Sequence, residues 1–122
     1  MQGILDERYD KLRTQSEEDP SYATRIIDMF FNVADASIAK ITKLLGETEV
    51  NYTEVGFSVT ELRASCSSVG GGRLEYLSRN LGKASHEKDP GRCIEELESV
   101  TKEYNILKES LNHISQLEKK KD

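Results

Sequence analysis

Apolar residues recur along this chain at alternating steps of three and four, broken by short polar stretches, and the pattern predicts five helices. Ile4, Leu5, Tyr9 and Leu12 fall close to helical spacing and predict a short amphipathic helix over 2–15. Glu17-Glu18-Asp19 reads as a solvated loop. Asp19-Pro20 then reads as a helix start, with Asp as N-cap and Pro in the first turn. The second helix, 20–45, takes a wide apolar face from Ile26, Ile27, Phe30, Phe31, Ala34, Ile38, Ile41 and Leu45, and Gly46 ends it. Asn51, with Glu54 three residues on in the manner of a capping box, opens the third helix, 51–69. Its stripe is Val55, Val59, Leu62, Cys66 and Val69, and Gly70-Gly71-Gly72 breaks it. The fourth helix, 72–86, uses Leu74, Leu77, Leu81 and Ala84. Asp89-Pro90 repeats the start signal for the fifth, 90–118, whose seam is Ile94, Leu97, Val100, Tyr104, Leu107, Leu111, Ile114 and Leu117. Lys119, Lys120 and Lys121 suit the negative end of that helix.

Four substantial helices with short connections predict an all-α, up-down-up-down antiparallel four-helix bundle, with the 2–15 helix packed across one end. No repeat or linker divides the 122 residues, so the chain reads as one domain, 1–122. Charge changes the picture by exclusion. Seventeen Lys and Arg against 22 Asp and Glu leave a net −5, scattered along the chain, which argues against a nucleic-acid partner. No apolar run approaches the ~20 residues that span a bilayer, and no basic-then-apolar N-terminal pattern marks a secretory signal. Cys66 and Cys93 fall within helix patterns and read as reduced core thiols of an intracellular protein, a disulfide between them staying open. The triple glycine lacks the Lys-Ser/Thr tail of a phosphate-cradling loop and reads as a helix break. The outer faces of the second and last helices read as charged and mixed, without an apolar patch.

One helical face stands out. At ~3.6 residues per turn Thr60 lies off the apolar stripe of the third helix. Phe57, Ala64 and Ser67 share its face at i−3, i+4 and i+7, and Arg63 borders it. An aromatic, small residues and one cation make an odd surface for a helix that only has to be wet. The two histidines, His86 and His113, read as polar helix-surface residues. Neither has a cation at i+3 and a small residue at i+4.

Thr60-Glu61-Leu62-Arg63-Ala64-Ser65-Cys66-Ser67-Ser68-Val69-Gly70 resembles the signature of plant histidine-containing phosphotransfer (HPt) proteins, His-Gln-x-Lys-Gly-Ser-Ser-x-Ser-[Ile/Val]-Gly. In that resemblance Thr60 stands where the family has its phosphorylated histidine. Glu61 replaces the glutamine, Arg63 the lysine, Ala64 the glycine and Cys66 the second serine, while Ser65, Ser68, Val69 and Gly70 match. The likeness extends to Met1-Gln2-Gly3-Ile4-Leu5-Asp6, Phe30-Phe31 and Gly91-Arg92-Cys93. It begins inside the family's first helix, so either a preceding stretch is missing here or this member is naturally short.

The resemblance implies the same bundle and a place in phosphoryl relay, where a phosphoryl group passes from an aspartate on one receiver domain, through histidine, to an aspartate on another. A neutral imidazole is nucleophilic near pH 7. A threonine hydroxyl needs an adjacent base, and its phosphate ester is a dead end for return to aspartate. The chain therefore resembles a pseudo-HPt: not an enzyme, without cofactor or metal, a monomer with no nucleic-acid or membrane partner. It is expected to dock receiver domains of hybrid histidine kinases and response regulators through Phe57, Thr60, Glu61, Arg63, Ala64 and Ser67. Competing there with active HPt proteins, it would dampen cytokinin two-component signalling in cytoplasm and nucleus. Glu61 adds a negative charge that works against an acidic receiver pocket unless Arg63 or a receiver-bound cation offsets it. The alternatives are an active carrier using another residue, such as His86, His113 or Thr60 itself, and a helical interaction module outside the relay.

Overall fold

The computed structural model describes residues 5–120; the side chains of Ser16, Glu18, Pro20 and residues 114–120 lie outside that description. Among the described residues there are five helices, α1 Glu7–Glu18, α2 Pro20–Leu45, α3 Tyr52–Val69, α4 Gly72–His86 and α5 Pro90–Lys120. Helix α2 packs on α3, α3 on α4, α4 on α5, and α5 returns to α2, which closes a four-helix ring; α1 lies against α2 and α3. The all-α bundle expected from the periodicity is the observed fold.

Local chemistry explains the boundaries. Asp19 caps α2 by accepting from the Ser21 N–H at 3.1 Å, and Asp89 opens α5 by accepting from the Arg92 N–H at 3.1 Å. Asn51 Oδ1 accepts from the Glu54 N–H at 3.2 Å. The Glu54 carboxylate does not close the reciprocal half of a capping box; it pairs instead with Lys40 of α2 at 3.3 Å.

The first helix departs from the expected 2–15. It starts at Glu7 because Asp6 is its N-cap, accepting from the Arg8 N–H at 2.9 Å, while the Asp6 N–H donates to the Gly70 carbonyl at 2.8 Å. It also continues through Glu17 and Glu18, which were expected to form a loop. Neither residue breaks a helix, and the turn comes only at Asp19. Ile4 of the expected α1 face, together with the Met1-Gln2-Gly3 stretch, lies outside the described residues.

The core follows the stripes closely. Val55, Val59, Leu62, Cys66 and Val69 are all buried, as are Ile27, Phe30, Ala34 and Ile41 of α2 and Val100, Tyr104, Leu107 and Leu111 of α5. At the head of α5 the seam runs through Cys93, not Ile94, which is 48% exposed. Ile114, Leu117 and the lysine run fall where side chains are not described. Both thiols are free and buried, and burial pushes the Cys66 thiol up to about 12, so it behaves as an inert small hydrophobe. The Tyr104 hydroxyl donates to Asp35 Oδ1 at 2.6 Å and its ring meets Phe30 edge-on at 6.0 Å, tying α5 to α2.

Asp6 makes α1 sensitive to acid. Hydrogen bonds from Arg8, which also reaches Glu75 of α4 at 2.7 Å, hold the Asp6 carboxyl below its ordinary 3.8. A depressed folded-state value contributes stability that is fully present above the unfolded value and is lost as pH falls through the folded one. Asp6→Asn keeps a capping side chain but removes the charge. Because the pair is only part-buried, with about a third of each side chain open to screening solvent, the variant is expected to lose only a few tenths to about 1 kcal/mol at pH 7. Urea titrations at pH 7 and below pH 3 check this: the gap between wild type and variant should narrow in acid.

Candidate functional site

The expected site residues all lie on α3, and the structure turns most of them outward. Phe57 is 60% exposed, and Thr60, Glu61, Ala64 and Ser67 are exposed beside it. The Thr60 hydroxyl donates to its own helix at the Gly56 carbonyl, 2.9 Å away, and Ser67 does the same to Ala64 at 2.7 Å. No base is hydrogen-bonded to Thr60. Arg63 is half-buried and its Nε is buried without a hydrogen-bond partner.

Thr60 and Arg63 form one wall of a groove of about 860 Å³ between α3 and α4. Its floor is tight: a β-carbon on Gly82 would come within 3.3 Å of Val59 Cγ1. One end is fixed by the Ser85 hydroxyl, which donates to the Tyr52 carbonyl at 3.0 Å. The opposite wall comes from Arg79, Lys83 and His86, which repeat at four and three on α4, with Lys88 and Arg92 beyond. This α4 wall was not foreseen. Each of its residues reads in sequence as an ordinary charged helix position, and only the packing of α4 on α3 brings them beside Thr60.

The other side of α3 holds a second feature. The Lys40–Glu54 bridge at 3.3 Å fixes where α2 lies along α3. From Lys40, steps of four and three lead to Ala36, Val33 and Met29; from Glu54 they lead to Phe57, Glu61 and Ala64. Met29 is 62% and Val33 40% exposed, so the outer face of α2 does carry apolar surface, contrary to the charged and mixed outer face expected from the sequence. The wide apolar face of α2 concealed this, because positions 29 and 33 sit at its margin. On α5, Ile94 and Ile106 are likewise exposed. His113 lines a shallow depression on α5 away from α3. Among the described residues no three His, Cys, Asp or Glu side chains converge as a metal site, and no helix is long and apolar enough to cross a membrane.

Over 120 residues the chain is 31% identical to histidine-containing phosphotransfer protein 2 of Arabidopsis thaliana, spanning 97% of this chain and 77% of that protein. The chain belongs to the plant HPt family. It is similar also to pseudo histidine-containing phosphotransfer protein 6 of the same plant, at 29% identity over 98% of this chain and 79% of that one. Among solved structures, a rice protein described as a putative HPt protein superposes with a TM-score of 0.91 at 26% identity, covering 99% of this chain and 88% of its own. A maize HPt protein gives a TM-score of 0.94 at 24% identity, with 98% and 88% covered, and so bears on the fold alone. No family model matches the chain. The α2–α5 ring is thus an HPt bundle, and its α3 is the helix on which the signature-like stretch Thr60–Gly70 lies.

Proposed function

We propose that the chain is a pseudo-HPt adaptor. It docks receiver domains of hybrid histidine kinases and response regulators, accepts no phosphoryl group, and competes with active HPt proteins, dampening a cytokinin-type phosphorelay. One observation carries this reading. Thr60, matched to the acceptor position, stands exposed on α3 with its hydroxyl bonded only to the Gly56 carbonyl. A hydroxyl so placed has no base to activate it, yet the surface around it remains open. The likeness to relatives named as pseudo-HPt proteins supports the same reading.

The docking surface in this account runs from Met29 and Val33 across Phe57 to Thr60, Glu61, Arg63, Ala64 and Ser67. Phe57 is the large exposed aromatic of this surface, and such a residue has the makeup of an interface anchor. Phe57→Ala is expected to weaken receiver binding by about 5- to 100-fold, while stability changes by no more than ~0.5 kcal/mol, as for other exposed positions. Titration calorimetry with a receiver domain and a melting curve check both halves.

The adaptor role is tested by competition. Phosphoryl transfer from a receiver to an active HPt protein is followed as this chain is added. Transfer should fall with increasing wild-type chain and fall less with Phe57→Ala. Transfer that stays constant under a large excess overturns the role. Placement in cytoplasm and nucleus belongs to the same proposal and is checked with a fluorescent fusion.

A second reading has one observation in its favour: His86 lines the same groove as Thr60 and Arg63. There the chain would be a carrier, with the His86 imidazole as acceptor. Acid-labile phosphate on wild type that disappears in His86→Gln would establish it, and absence of any such phosphate removes it.

A further inference from the structure

The charge of the α3–α4 groove is opposite to that of the whole molecule. The chain carries a net −5, yet Arg63, Arg79, Lys83, Lys88 and Arg92 all line this one groove, with Glu87 as its one acidic lining residue. Glu87 is already committed to Arg92 at 3.1 Å. Arg63, Arg79, Lys83 and Lys88 make no ion pair among the described residues; Lys11, Lys43 and Lys102 elsewhere make none either, and what sets the four apart is that they line one concavity. Four uncompensated cations facing one concavity concentrate positive potential there.

The backbone adds an independent sign. Helix α4 ends in a Schellman motif: the Lys88 N–H donates to the Ser85 carbonyl at 3.0 Å and the Asp89 N–H to the Ala84 carbonyl at 3.2 Å. The residue at the left-handed position of that motif is ordinarily glycine. Here it is Lys88, at φ 56°, the sole non-glycine residue with positive φ among the described residues. The side chain at this strained position is a cation at the groove's end, which also borders Glu47 and Glu49 of the α2–α3 connection. Strain kept in this way gathers at functional sites.

We propose that this groove makes docking selective for a receiver whose aspartate carries a phosphoryl group, so that the chain reads the phosphorylated state without discharging it. This rests on the receiver-docking reading above and adds the state that is recognised. On an aspartate a phosphoryl group turns one negative charge into about two and presents three acceptor oxygens. Arginine and lysine donors meet such oxygens through charge-assisted hydrogen bonds. Arg63 and Arg79 face each other across the groove, each with a forked guanidinium, and the Arg63 Nε–H has no partner within the chain. The phosphoryl group stays on the receiver, because Thr60 beside it is not an activated nucleophile. The captured receiver is thereby withheld from its relay partners while still phosphorylated.

The test is a binding titration of the full chain with one receiver domain in two states: unmodified, and with beryllium trifluoride on its aspartate as a stable phosphoryl mimic. The mimic-bearing receiver should bind about 10-fold tighter or more, as expected for new charge-assisted contacts, and the ratio should shrink as salt is raised. In Arg79→Gln/Lys83→Gln the ratio should fall to near one. Lys88→Gly separates binding from folding: relief of the left-handed strain should raise Tm while the ratio drops. Equal affinity for both states overturns this inference and leaves receiver docking standing. A ratio that persists in the double variant also overturns it, since the receiver's state would then be sensed elsewhere. If neither state binds, receiver docking fails and this inference with it.

Discussion

Thr60→His is expected to convert a chain that takes no phosphate into one that accepts it from a phosphorylated receiver. Position 60 is exposed, between Phe57 and Ala64 on the outer face of α3, so an imidazole fits without disturbing the core. Threonine and histidine have similar helix propensities, and stability should change by no more than ~0.5 kcal/mol. What changes is reactivity. The wild-type hydroxyl donates to the Gly56 carbonyl and has no base, while a neutral imidazole is a nucleophile as it stands. Because the imidazole is itself the nucleophile, phosphate on the chain should rise from background in wild type to a clear signal in the variant. The product should be acid-labile, as a phosphoramidate is, and Arg63 stands beside it to meet the charge. A variant that binds a receiver yet stays unphosphorylated would show that more than the acceptor has diverged.

Gly70→Ala is expected to be among the most destabilising single-methyl additions in the chain. Gly70 ends α3 in the left-handed region at φ 69°, and a β-carbon there would sit 2.4 Å from the Tyr9 backbone nitrogen and 2.7 Å from Asp6 Oδ1. The left-handed conformation costs a non-glycine residue ~1–2 kcal/mol. The clash with rigid backbone also forces α1 away, at the expense of the Asp6 N–H···O=C Gly70 bond, worth ~0.5–1.5 kcal/mol. The total should reach about 2–4 kcal/mol. Gly56→Ala is the matched control: it lies mid-helix with nothing within 4 Å of its β-carbon, and should stabilise by up to ~1 kcal/mol. Denaturant midpoints for the two variants should move in opposite directions. A Gly70→Ala loss under ~0.5 kcal/mol would mean that α1 does not dock on the glycine turn.

The sequence carried the bundle because its helices obey one rule, an apolar stripe facing one core, and their caps sit at Asp19, Asn51 and Asp89 where short polar side chains can satisfy free N–H groups. It carried the outward face of α3 for the same reason: once Val55, Val59, Leu62, Cys66 and Val69 turn inward, Phe57 and Thr60 must turn out. The misreadings have physical causes of their own. Glu17 and Glu18 look like loop residues by charge but are good helix formers, so α1 ran on to Asp19. Met29 and Val33 fall outside the apolar face read for α2, whose outer side reads as charged and mixed; one position before Phe30 and Ala34, they turn away from the core and put apolar surface there. The basic wall could not be read at all. Arg79, Lys83 and Lys88 acquire meaning only from what α3 presents across the groove, and that is a property of packing, not of spacing along one helix.

The measurement that bears most directly on the central claim is a paired experiment on the wild-type chain. Binding to a receiver domain is titrated by calorimetry, and the same receiver, phosphorylated on its aspartate, is then mixed with the chain and phosphate followed over time. Saturable one-to-one binding is expected, with no phosphate on the chain at any time. Acid-labile phosphate on wild type would contradict it, and so would failure to bind a receiver that an active HPt protein binds in the same buffer.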